Sequence, residues 1–270
     1  MSTSASTATT LPSAKRHLSE REAAQPDILG AGFTHLESLA EIVKTKGACH
    51  LPGCSCSFEV FVPLLLRAAS RGFVDPEKAA FVVDGLRYGF MCGVDVSQMR
   101  GKRQFRNYPT ALAAVDKVSV AVRKRVAADK TLCLGAFRDG DKLAIPFDTW
   151  CIFPMGGVKK KMEEEVRPVD DHTRTLLNKA TDLSGLRFSL RTHEEVAELF
   201  KRLFYMSVKD VSDAFPLVPL HPLLWKFMLF CWWYVDPRPT SAPKPGALWC
   251  LYCHVFAGFG MAGLPGVWSI

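Results

Sequence analysis

Residues 207–230 read SVKDVSDAFPLVPLHPLLWKFMLF, and the fold turns on how this stretch is taken. Extended to 214–235 it is the most apolar part of the chain, with 17 hydrophobic residues in 22, a length that suits a bilayer. The interruptions argue against a span. Pro216, Pro219 and Pro222 each remove a backbone donor, and three prolines so close together break a helix. His221 and Lys226 would sit near the middle of the span, where charge is costly. The stretch therefore reads as a strand, a proline-ruled turn and a second buried strand around 227–235, with no membrane partner. Asp210 and Asp213 lie at its start. An aspartate at the end of a buried strand can hold a divalent cation, because carboxylate oxygen is the natural ligand of Mg²⁺. A turn carrying two solvated acids is the plainer alternative.

The flanks set the fold class. Upstream, residues 33–46 predict a short amphipathic helix, with Leu36, Leu39, Ile42 and Val43 on one side. Phe58 to Ser70 predicts an apolar helix that ends before Gly72, and Asp75-Pro76 opens another through Phe81 and Leu86. From Pro109 onward Ala111, Val115, Val118, Val122 and Val126 recur at three- and four-residue steps, which predicts one helix of about five turns. After residue 131 the pattern changes to short strands over 143–158, broken by Pro146 and Pro154. A helix follows at 193–205, where Thr192 can cap and Glu195 can close a capping box. Strands are expected at 206–212 and 248–257, a Pro-rich loop at 236–246 and a Gly-rich turn at 258–266. The order predicts an α+β fold: a mainly helical region over 31–130, then a region with an antiparallel sheet over 131–270. The first ten residues hold seven Ser or Thr, so 1–30 reads as a disordered tail.

Composition narrows the function classes. The chain has 270 residues, 48% of them hydrophobic and 23% charged, so it can bury a real core, and collagen, coiled coil and wholesale disorder are excluded. A net charge of +7 permits an anionic partner without requiring one. Nine cysteines with no signal peptide before them predict a reducing compartment, nucleus or cytoplasm rather than secretion, with mostly free thiols. Residues 100–130 carry nine basic side chains against two acids, among them Arg123, Lys124 and Arg125 at one helix end. They read equally as a nucleic-acid face or as a solvated helix surface. Cys250-x-x-Cys253-His254 has the letters of a haem attachment site, but falls on an expected buried strand. Cys49, His50, Cys54 and Cys56 have no familiar zinc spacing and read as a cysteine-bearing loop.

Two further runs bear on chemistry. Lys159-Lys160-Lys161, then Glu163-Glu164-Glu165 and Arg167, has the pattern of a hairpin with cations at its tip, which can neutralise nucleotide phosphates. Gly258, Gly260, Gly263 and Gly266 crowd the end of the chain, where backbone can approach a flat ligand. They do not open a dinucleotide-binding unit.

The order of these weak signals is specific. VRPVDDHTRTLLN, then KDVSDAFPLVPLHPLLWKFMLF, then HVFAGFGMAGLPGVWSI resembles the successive fingers and palm motifs of reverse transcriptases. Upstream, FVVDGLRYGFMCGV, NYPTALAAVDKVSVAVRKRVAADKTLCLGAF and IPFDTWCIFPMGGVKKK resemble the N-terminal extension of DIRS-type retrotransposons and their relatives. Together the likeness covers roughly residues 80–270. It implies that Asp210 is the first catalytic aspartate, binding both Mg²⁺ ions, with the Val211 carbonyl as a second ligand. It implies that Asp213 is structural or near the triphosphate, and that Phe215 is the steric gate against a ribose 2′-OH. Lys160 and Arg167 would clamp the incoming triphosphate, and Asp171 would hold the hairpin. Phe259 and Gly260 would pack near the nascent base pair, and Pro265 would shape the following helix. The implied partners are an RNA or DNA template-primer and a dNTP.

The sequence also departs from the family pattern. The aromatic-x-Asp-Asp motif, which supplies the second and third carboxylates, does not occur in the 270 residues. One carboxylate cannot hold two Mg²⁺ ions in reaction geometry. The fingers block reads VDDHTR where V-V-D-L-R is commoner, and Phe259 stands where many members carry Gln. Two expectations follow: a fingers and partial palm of an RNA-directed DNA polymerase, inactive alone, or a degenerate retroelement remnant that at most binds nucleic acid.

Overall fold

The computed structural model describes residues 31–138, 141–159, 166–186, 194, 214–233 and 248–268. The tail at 1–30, the strand at 206–212 and the loop at 236–246 lie outside them, as does the 193–205 helix apart from Glu194.

The N-terminal helices form where local signals place them. Helix α1 (Ala31–Thr45) buries Phe33, Leu36, Leu39 and Val43. Helix α2 (Phe58–Ser70) buries only Val62. Helix α3 (Pro76–Tyr88) starts at an Asp75 cap whose carboxylate accepts from the Glu77 and Lys78 N–H groups at 2.8 and 3.2 Å, with Pro76 at the first helical position. The single long helix expected from Pro109 is instead two, α4 (Pro109–Leu112) and α5 (Val115–Ala127). The two halves are tied to different strands. Thr110 accepts from the Gly157 N–H at 3.2 Å, whereas Ser119 accepts from the Trp232 indole at 2.9 Å, and the chain bends at Ala113–Ala114 between them.

The strands are β1 (Lys102–Gln104), β2 (Thr131–Phe137), β3 (Trp150–Ile152), β4 (Met155–Lys159), β5 (Val166–Asp170), β6 (Leu229–Trp233) and β7 (Trp249–His254). Five form one sheet in the order β1-β3-β6-β7-β2, and β4 and β5 make a separate antiparallel hairpin. The fold is α+β. Its main sheet is antiparallel across β6, β7 and β2, as the sequence predicts, and adds short parallel pairings at β1–β3 and β3–β6. The parallel junctions join segments distant in sequence, which hairpin signals cannot announce.

Where the sequence predicts a proline-ruled turn there is a 3₁₀ turn (Phe215–Leu217), isolated bridges at Pro219 and Leu220, and the one-turn helix α6 (Pro222–Trp225). His221 caps that helix by accepting from the Leu223 N–H at 3.2 Å, and Pro222 needs no donor at the first position. The expected second strand is β6, ending at Trp233. Among the described residues no helix is long and apolar enough to cross a membrane.

Alternating side chains over 229–232 and 250–253 divide the core. Phe230, Trp232, Cys250 and Tyr252 face Val118 and Val122 of α5, together with Phe153 and Met155. Leu229, Leu251 and Cys253 face a larger cluster that runs from Phe33 and Leu36 of α1 to Leu264 and Val267 of helix α7 (Leu264–Trp268).

Candidate functional site

The motif blocks that lie far apart in sequence meet at one edge of this core. The Phe90 N–H donates to the Pro219 carbonyl at 2.8 Å, and the His221 N–H donates back to Phe90 at 3.2 Å. Gly89, at φ 84°, lets the two backbones come this close, since a Cβ there would fall 2.5 Å from the His221 nitrogen. Thus YGF at 88–90 docks on the PLHP block.

The hairpin, the block after Ala214 and the glycine-rich turn then converge. Arg167 on β5 lies over the Phe259 ring, 5.1 Å from its centroid. The Phe215 ring meets Phe259 at 5.3 Å with planes at 62°. Phe215 and Phe259 are half-buried, while Arg167 and Gly260 are exposed. An open guanidinium, two aromatic rings and a bare stretch of backbone therefore share one surface. Such a surface can hold a polyphosphate and a planar ring together. Of the residues implied by the resemblance, Arg167, Phe215, Phe259 and Gly260 are brought together here. Asp210, Val211, Asp213 and Lys160 lie outside the described residues.

Supports behind this surface are fixed by hydrogen bonds. Asp171 accepts from the Tyr108 hydroxyl at 2.6 Å and from the Thr173 and Arg174 N–H groups at 3.1 and 3.0 Å. Partial burial would raise its carboxyl, but these donors outweigh it and hold the group below the usual range. Asn178 was not singled out by the sequence, although it ends the RPVDD…LLN block. Its amide donates to the Gly260 carbonyl at 2.8 Å, and its oxygen accepts from the Ala262 N–H at 2.9 Å. One side chain therefore grips both sides of the glycine-rich turn.

A second, buried feature went unnoticed in the sequence. Asp170, at the end of β5, is fully buried and has Arg125 Nη1 3.6 Å and His254 Nε2 3.4 Å from one carboxylate oxygen. His254 Nδ1 is 2.6 Å from the Thr131 hydroxyl. Among the described residues neither Asp170 oxygen nor either ring nitrogen of His172 has a well-aligned hydrogen bond. Burial would raise the Asp170 carboxyl, but Arg125 and the two histidines overcome it and hold it at about 2. Burial pushes His172 down to about 4 against the pull of Asp170, and pushes His254 down as well. The glycine-rich turn presses onto this cluster: a Cβ on Gly258 would collide with the Asp170 carboxylate, and one on Gly260 with the Asp170 carbonyl. Arg125, read as part of an exposed basic helix end, is instead turned inward. Cys250 and Cys253 are buried, and His254 is spoken for, which leaves no haem site there.

Among the described residues no group of three or more His, Cys, Asp or Glu side chains is arranged to hold a metal ion. No protein-family model matches the chain, and no curated protein matches it significantly.

Proposed function

We propose that this chain is the nucleotide-holding part of a reverse-transcriptase-like polymerase, its fingers and the first part of its palm, of the kind found in DIRS-type retroelements. The observation that carries the reading is the meeting of Arg167, Phe215 and Phe259, which come from three separate sequence blocks and lie within ring-contact distance. Arg167 would take the triphosphate of an incoming dNTP. Phe215 would close the space beside the sugar and disfavour a 2′-OH. Phe259 and the open backbone at Gly260 would face the base. Asn178 and Asp171 keep these groups in place. Mg²⁺ would supply charge neutralisation and activation of the primer hydroxyl. Of the family's three carboxylates only Asp210 occurs within these 270 residues, so the contribution assigned to this chain is nucleotide binding.

A second reading, a retroelement remnant that binds nucleic acid without catalysis, is favoured by the missing aromatic-x-Asp-Asp motif. Two measurements separate the readings. Calorimetric titration with dATP and Mg²⁺ should give saturable binding that Arg167→Ala weakens about tenfold or more, while Phe215→Ala admits ATP nearly as well as dATP. If neither substitution alters nucleotide binding, the polymerase-derived site is wrong. Primer extension on poly(rA)/oligo(dT) should give no incorporation by the 270-residue chain. Incorporation that Asp210→Asn abolishes would sink the remnant reading.

A further inference from the structure

Away from the Arg167 site, the far end of the main sheet carries a cavity of about 530 Å³ that the proposed nucleotide chemistry does not use. Strand register builds one wall. Phe137 on β2 stands opposite Trp249 on β7, and Trp249 stands opposite Trp233 on β6. Directly opposed residues of antiparallel strands project side by side. All three are half-buried, and Phe137 and Trp249 line the cavity. Trp233 and Trp249 are stacked, with centroids 4.6 Å apart and planes at 23°.

The other wall is the segment that follows edge strand β1. Phe105, Gln104 and Arg106 line the cavity beside Phe137 and Trp249. This wall is held firmly. The Asn107 amide donates to the Cys231 carbonyl at 2.8 Å and its oxygen accepts from the Met155 N–H at 2.9 Å, which ties the segment to β6 and β4. The Phe105 N–H donates to Ile152 at 3.1 Å. Arg106, which is exposed, is the cation that this wall brings to the cavity. Asp141 also lines the cavity, and its carboxylate accepts from the Arg138 N–H at 2.8 Å.

Flat rings with π-faces, an arginine at the rim and a small number of hydrogen-bonding groups describe what an unpaired base on a phosphate backbone needs. Single-stranded nucleic acid is bound by stacking on aromatic side chains beside a positive groove. A duplex has no free base face to offer. We propose that this cavity binds an unpaired nucleobase of single-stranded RNA or DNA, stacked on the Phe137–Trp249 wall with the adjoining phosphate at Arg106. Gln104 and Asp141 present a donor and acceptors to the base edge. The assignment deepens the polymerase reading by giving a template strand a second foothold, and rests on that reading only for the strand's role.

The test uses the full chain and fluorescently labelled oligo(dT) and oligo(U) of about a dozen nucleotides, read by anisotropy at low salt. Wild type should bind both, and a blunt duplex of equal length should bind at least tenfold more weakly. Trp249→Ala should weaken single-strand binding about tenfold or more, while Trp249→Phe, which keeps a ring, stays within a few-fold of wild type. Arg106→Ala should lower the slope of log affinity against log salt by about one. Near-ultraviolet circular dichroism establishes that each variant is folded. The proposal is overturned if folded Trp249→Ala binds like wild type, if an abasic oligonucleotide binds as tightly, or if polyglutamate displaces the oligonucleotide at matched charge. The Arg167→Ala protein, with dATP affinity lost, should keep its oligonucleotide binding. Wild type that binds oligonucleotide but no dATP would sink the polymerase reading and leave this one standing. Loss of both in Arg167→Ala would mean the two sites are one and would overturn this proposal.

Discussion

His172 is buried, packed edge-on to Phe153 at 4.7 Å, and neither ring nitrogen has a hydrogen-bond partner among the described residues. Burial, reinforced by the positive His254 and Arg125, outweighs the pull of Asp170 and Asp171 and takes its pKa from the ordinary 6.5 down to about 4. Below pH 6.5 the unfolded chain takes up a proton at this histidine while the folded chain refuses it until about pH 4. The stability it contributes is complete above pH 6.5 and drains away as pH falls towards 4, by up to about 1.4 kcal/mol per pH unit. His254 is shifted in the same direction and adds to the slope. Asp170 acts lower, since its carboxyl stays ionised down to about pH 2. Urea unfolding at pH 7.5, 6, 5 and 4.5 should show a falling midpoint. His172→Phe keeps the ring contact and removes two unpaired polar atoms, so it should be near neutral at pH 7.5 and visibly flatten the slope. An unchanged slope would show that the proton is taken up elsewhere.

At the scale of elements, the glycine-rich turn depends on a side chain from another segment. Asn178 bonds to Thr173, Gly260 and Ala262, so Asn178→Ala strips the clamp from both sides of the turn. The expected result is a loss of about 1–3 kcal/mol in unfolding free energy. Affinity for dATP should fall several-fold, because Phe259 loses its fixed position beside Arg167. Calorimetry on the variant reads both, and unchanged dATP affinity would mean that the turn holds its shape without Asn178. How much of this was legible follows from range. Helices set by caps and periodicity, such as Phe58–Ser70 and the Asp75-capped α3, appear where the sequence places them, because their signals are local. The break between α4 and α5, the parallel pairing of β1 and β3, and the Asp170–Arg125–His254 cluster each depend on partners scores of residues away. At the site, motif order picked out Arg167, Phe215, Phe259 and Gly260. Asn178 escaped because an asparagine's amide partners are invisible until two turns are brought together.

On the scale of the whole molecule, the larger core cluster runs from Phe33 in α1 through the sheet to Val267 in α7. Helix α1 lies against β2, where the Gly32 backbone comes so near Leu134 that a Cβ would collide with it. Helix α1 therefore covers the same sheet whose strands β6 and β7 adjoin the PLHP block and the glycine-rich turn, and should not melt separately from it. Leu36 is 3% exposed in this cluster. Leu36→Ala removes buried methyl groups and leaves a cavity, a change that costs about 2–5 kcal/mol. For a core of this size that corresponds to a drop of roughly 5–15 °C in Tm. Five of the tryptophans, Trp150, Trp225, Trp232, Trp233 and Trp249, sit on α6 and the sheet, far in sequence from the substitution. Their emission and the helical circular dichroism should shift together in one transition. A biphasic melt, with tryptophan emission still at the wild-type Tm, would show that the helices form a separate unit and that the nucleotide surface stands without them.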